Sequence, residues 1–134
     1  MTLDELLDFL RRNCGISIVT DFKTDNLGGL RRLADLAGPM KTRFIPQIYR
    51  FEELRPTMAI GYPKPILSVY RDPNFGRPLR ANSVPVRAVT MPYRLRYLAA
   101  LIDHPVYLHT VNEPTPGYGL YTDCLVPAGG KVAA

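Results

Sequence analysis

Leu3, Leu6, Leu7 and Leu10 recur at i, i+3, i+4 and i+7, the spacing of one apolar stripe on a helix. Thr2 and Glu5 have the spacing of a capping box, Arg11 and Arg12 fall where cations suit the helix dipole, and Gly15 supplies a stop. The pattern predicts a helix over 3–13. The β-branched run Ile16–Thr20 then predicts a short strand. A second helix is expected over 26–37. Asp25 or Asn26 caps it, Leu27, Leu30, Ala34 and Ala37 form its stripe, and Gly38-Pro39 ends it, although Gly28 and Gly29 weaken its first turn.

Beyond residue 38 the pattern changes. Phe44-Ile45, Ile48–Phe51, Ile66–Tyr70 and Val84–Thr90 are short apolar runs with strand character, separated by proline and glycine. Pro46 and Pro85 belong at strand starts, edges or bulges. Asp72–Gly76 is a turn, and 73–83 is expected to be an exposed loop carrying Arg77 and Arg80. A third helix is expected over 92–103, with Pro92 at its first position and Leu95, Leu98, Ala99 and Ile102 as its stripe. Val106–Val111 and Gly119–Val126 then form two strands of a β-hairpin with a long tip. Residues 127–134 form a flexible tail. The order predicts a single α+β domain with a mostly antiparallel sheet, about three short helices on one face, and a Pro/Arg-rich extended segment over 39–91.

Composition sharpens this division. All 13 prolines of the 134 residues lie between Pro39 and Pro127. Within that stretch only the gap from Pro92 to Pro105 is long enough for a full helix, because proline removes a donor and clashes inside one. Arginine outnumbers lysine 13 to 4, and the net charge is −1 over 1–38, +8 over 39–97 and −2 over 98–134. The proportions of apolar and charged residues are those of a globular chain, which excludes a disordered chain, a collagen and a coiled coil. No run of about 18 apolar residues exists to cross a membrane, and the acidic, amphipathic start is unlike a signal peptide.

Candidate chemistry is sparse. Cys14 and Cys124 are the only thiols, with His104 and His109 as bases; the expected hairpin brings His109 and Asp123 near Cys124. Cys14 ends a helix and Cys124 follows an acid, so both settings disfavour a thiolate, and neither lies in a catalytic motif. Two thiols, paired or free, suggest a reducing compartment, and the expected location is the cytoplasm or a particle assembled there. No Cys-x-x-Cys or helical His pair signals a metal, and no cofactor is expected. The glycines and arginines of 25–32 offer a helix start that could hold an anion, although a capped surface helix with solvated arginines is the favoured explanation.

The basic middle segment is the strongest partner signal. Arg43, Arg50, Arg71, Arg77, Arg80 and Arg87, interleaved with Tyr70 and Phe75, suit contacts to protein subunits or to a polyanion such as nucleic acid. The first functional expectation is therefore a non-enzymatic assembly subunit, such as a virion component, docking on other protein subunits through extended segments. A small nucleic-acid-binding module comes second and a small Cys/His hydrolase-like enzyme a distant third.

Overall fold

A computed structural model describes residues 1–69, 78–109 and 111–122. The first helix, α1 (Leu3–Arg12), follows its expected course. Thr2 Oγ1 accepts from the Glu5 N–H at 3.2 Å and Glu5 Oε2 accepts from the Thr2 N–H at 2.6 Å, closing the capping box. Its stripe buries Leu7 and Leu10. After β1 (Ile18–Thr20), α2 runs Asn26–Ala37, and a 3-10 turn (Gly38–Arg43) leads into β2 (Phe44–Ile48).

The two glycines that weaken α2 in isolation are required by its surroundings. Asp25, in the left-handed region at φ 42°, caps the helix by accepting from the Gly28 N–H at 3.1 Å; a methyl group at residue 28 would collide with that carboxylate. At Gly29 a Cβ would lie 2.6 Å from the Phe22 ring, so the ring packs directly on the helix backbone. The Asp25 carboxylate thus occupies the helix start that the sequence offered to an anion.

The proline-rich middle contains a further helix, α3 (Leu54–Ile60), after a 3-10 turn at Phe51–Glu53. Pro56 sits in its first turn, where a missing N–H costs no helical hydrogen bond. Then come β3 (Ile66–Ser68), a 3-10 segment (Pro78–Ser83), β4 (Ala88–Pro92), a 3-10 helix (Tyr93–Leu101), β5 (Val106–His109) and β6 (Gly119–Leu120). The expected third α-helix is this 3-10 helix, with Pro92 preceding it as the cap.

The six strands form one sheet in sequential order, and every neighbouring pair is parallel. This overturns the α+β, mostly antiparallel expectation: the chain is of α/β type. The expected hairpin over 106–126 is instead a parallel pair, β5 and β6, with Tyr107 opposite Gly119, and its segment beyond Thr122 lies outside the described residues. A parallel pair needs a return path, which Val111–Tyr118 supplies through two prolines and Gly117 at φ 86°. Pro46 is internal to β2, at the point where pairing passes from β1 to β3.

Alternate residues separate the two faces of the sheet. Leu67, Val69, Val89, Met91, Val106 and Leu108 pack against the crossover segments in one core cluster; Leu7, Leu10, Leu30, Leu33, Phe44 and Tyr62 form a second between the helices and the start of β2. The other face lines a cavity of about 290 Å³ touched by all six strands, through Val19, Ile45, Ile66, Ala88 and Tyr107 and, on β6, at Leu120, which also packs on the first cluster. One cavity reached by every strand means that the sheet curls, with that face concave. The second half of the expected exposed loop is tied down: Ala81 is fully buried, and Asn82 donates to Leu101 O and accepts from the Asp103 N–H, both at 2.9 Å. No described helix is long and apolar enough to cross a membrane.

Candidate functional site at the carboxyl ends of the strands

Parallel strands deliver the residues that follow them to one end of the sheet, where ligand sites of such folds gather. Here that end receives Asp21 after β1, Tyr49 after β2, His109 from the end of β5 and Tyr121 after β6. Asp21, Tyr49 and Tyr121 stand two residues beyond Val19, Gln47 and Gly119, and His109 two beyond Tyr107, so they continue the concave face.

The Asp21 carboxylate accepts a hydrogen bond from the Tyr49 hydroxyl and pairs with Lys23. The Tyr49 backbone is fixed in turn by Glu53, whose Oε2 accepts from the Tyr49 N–H at 2.6 Å and the Arg50 N–H at 3.0 Å. Asn26 completes this support, donating through Nδ2 to Glu53 Oε1 at 3.2 Å and to Gln47 O at 3.0 Å. Glu53 is therefore a positioning group that holds the turn after β2 in place. A pocket of about 180 Å³ opens beside this network, lined by Lys23, Asp25, Asn26, Tyr49, Arg50 and Glu53.

Tyr121 joins the far strand to this group. Burial pushes its hydroxyl pKa up, and Tyr107 and the Asp21 carboxylate add to the shift. The Tyr107 and Tyr121 rings meet edge to face at 6.1 Å. Tyr107 also lies directly over Gly119, where any side chain would collide with its ring. Burial lowers the His109 pKa, favouring the neutral imidazole. Deeper on the concave face, Ser68 and Thr90 stand opposite each other on β3 and β4; their hydroxyls, and that of Tyr121, are buried without a hydrogen-bond partner among the described residues. With Asp21, Lys23 and His109 these hydroxyls make up a polar layer. It offers donors, acceptors, a carboxylate, an ammonium and a neutral imidazole, the groups needed to bind a polar ligand and move a proton.

The sequence-derived residues are dispersed. Arg43 lies at the amino end of β2, and its guanidinium is spent on the carboxyl end of α1: it donates to Leu10 O (3.4 Å), Asn13 O (2.8 Å) and Ile16 O (2.9 Å from Nε). Arg80 stacks 4.5 Å from the Phe51 ring centre. Arg50 lines the carboxyl-end pocket, whereas Arg87 precedes β4 at the opposite end. Tyr70, Arg71, Phe75 and Arg77 lie outside the described residues, as do Asp123, Cys124 and the tail over 127–134. Cys14 is exposed just after α1, towards the start of β1, at the other end of the sheet from His109. His104 bonds Ala81 O at 3.0 Å. Among the described residues no cluster of three or more His, Cys, Asp or Glu could hold a metal. Compared with known protein families, curated proteins and solved structures, the chain matches none.

Proposed function

We propose that this chain binds a small polar, hydroxyl-bearing ligand at the carboxyl ends of its strands, with Asp21 as the central recognition and proton-accepting group. The observation that carries this reading is Asp21 itself: at the carboxyl end of β1 it is held by the Tyr49 hydroxyl from the next strand and by Lys23. A carboxylate held by a hydroxyl and an ammonium at the carboxyl end of its strand is preorganised to accept a ligand hydroxyl. Screening small polyols, sugars and hydroxy acids by amide chemical-shift perturbation tests it. Shifts should centre on residues 21–26, 49–53 and 119–122, and Asp21→Asn should weaken the ligand found by about tenfold or more, the scale of a charge-assisted hydrogen bond. Asp8→Asn, on the exposed face of α1, should not change binding. Shifts scattered over the surface, or wild-type affinity in Asp21→Asn, would count against the reading.

An assembly role is the second reading, favoured by one exposed element. Tyr93, Tyr97 and Leu101, the last two 68% and 50% exposed, all stand on the 3-10 helix between β4 and β5. Aromatic residues displayed this way suit a subunit contact. The expected result is a mass in light scattering at least twice 15.1 kDa, reduced by Tyr97→Glu. A constant monomer mass would argue against self-association.

A further inference from the structure

We propose that the amino-terminal end of the sheet carries a separate pocket for a small organic carboxylate of one-ring size. The pocket, of about 160 Å³, lies where β2, β3 and β4 begin, and is walled by Phe44, Pro46 and Pro63 with Lys64 and Arg87 also lining it. Its charge is one-sided. Lys41 adds a third cation: its Nζ lies 2.7 Å from the point a Cβ on Gly61 would occupy and donates to Ile60 O at 3.3 Å. Gly61, at φ 107°, lines the same pocket, so its missing side chain is what lets Lys41 come this close.

Among the described residues no Asp or Glu lines the pocket, and none of Lys41, Lys64 and Arg87 takes part in an ion pair; those pairs are Met1–Glu5, Arg11–Asp8 and Lys23–Asp21. Three cations at the starts of adjacent strands, with no acidic residue among the described lining, repel one another, and a bound anion relieves that repulsion. The walls specify the rest of the ligand. Phe44 and Pro46 are buried and apolar, and an apolar cavity of about 150 Å³ holds a benzene-sized molecule. A ring fits against these walls while its carboxylate meets the planar fork of Arg87 and the ammonium of Lys64. This pocket lies at the opposite end of the sheet from Asp21 and does not depend on the ligand proposed there.

Benzoate is the probe, with benzamide as its uncharged counterpart of the same shape, followed by amide chemical shifts. Benzoate should give saturable shifts at 42–46, 61–66 and 86–88, and benzamide should give none at the same concentrations. Arg87→Gln should weaken benzoate by about tenfold or more, as expected for losing a charge-assisted contact. Lys64→Gln should weaken it less and serves as the second variant if Arg87→Gln does not fold. Three results would overturn the proposal: no saturable shift with benzoate, equal binding of benzamide, or wild-type affinity in a folded Arg87→Gln or Lys64→Gln chain. Inorganic phosphate binding as tightly as benzoate would refute the ring-sized part of the assignment.

Discussion

Replacing Leu67 with aspartate should abolish cooperative folding, whereas the same replacement at Leu36 should leave the fold intact. Leu67 is 1% exposed on β3, near the middle of the sheet, and packs in the main core cluster; Leu36 is 56% exposed on α2. An aspartate at 67 places a carboxylate among the apolar side chains of Ile48, Val89 and Leu108. The cost of an unpaired buried charge exceeds about 4 kcal/mol, a large part of the 5–15 kcal/mol that holds a typical domain together. Circular dichroism melts of both variants measure this. A sharp, wild-type transition in Leu67→Asp would mean that the core lies elsewhere.

The second large effect is expected at Arg43, a residue whose charge suggested a partner surface. Its three carbonyl acceptors, on Leu10, Asn13 and Ile16, belong to the end of α1 and the approach to β1. Those carbonyls include groups that a helix end leaves unsatisfied. Arg43→Ala should therefore cost about 2–4 kcal/mol, from the loss of several charge-assisted bonds at a half-buried site. For a chain of this size that lowers Tm by roughly 10 °C. Arg43→Lys should recover little, because a single ammonium cannot span three acceptors as a planar guanidinium does. An Arg43→Ala chain as stable as wild type would return Arg43 to the role of a free surface cation.

These two residues show what the sequence disclosed and what it hid. Leu7, Leu10, Leu30 and Ala34 are buried on the faces that their spacing indicated, because helical periodicity is local. Strands that begin at or beside Ile18, Phe44, Ile66, Val89 and Val106 were also legible. Strand direction was not, since a β-branched run has the same composition whichever way its neighbour points. A weak signal existed: Ile66–Ser68 and Ala88–Met91 are buried at every position, as befits strands covered on both faces. Helix α3 was hidden by Pro56, which is harmless only in a first turn. The role of Arg43 was invisible because its acceptors lie 27 to 33 residues away.

The candidate site was hidden for the same topological reason. Asp21, Tyr49 and Tyr121 are ordinary polar residues until parallel pairing brings the ends of their strands together. Every functional proposal for the carboxyl end therefore depends on strand direction.

The most direct test is NMR detection of the bonds that define the last pair. The parallel sheet predicts through-hydrogen-bond couplings from the Tyr121 N–H to Leu108 C=O and from the Val111 N–H to Tyr121 C=O, whose N···O distances are 2.8 and 3.1 Å. It further predicts no close Hα–Hα contacts between residues 106–109 and 119–120. Strong Hα–Hα contacts there, the mark of antiparallel strands with facing Cα atoms about 4.5 Å apart, would contradict the parallel sheet and with it the site at its carboxyl end.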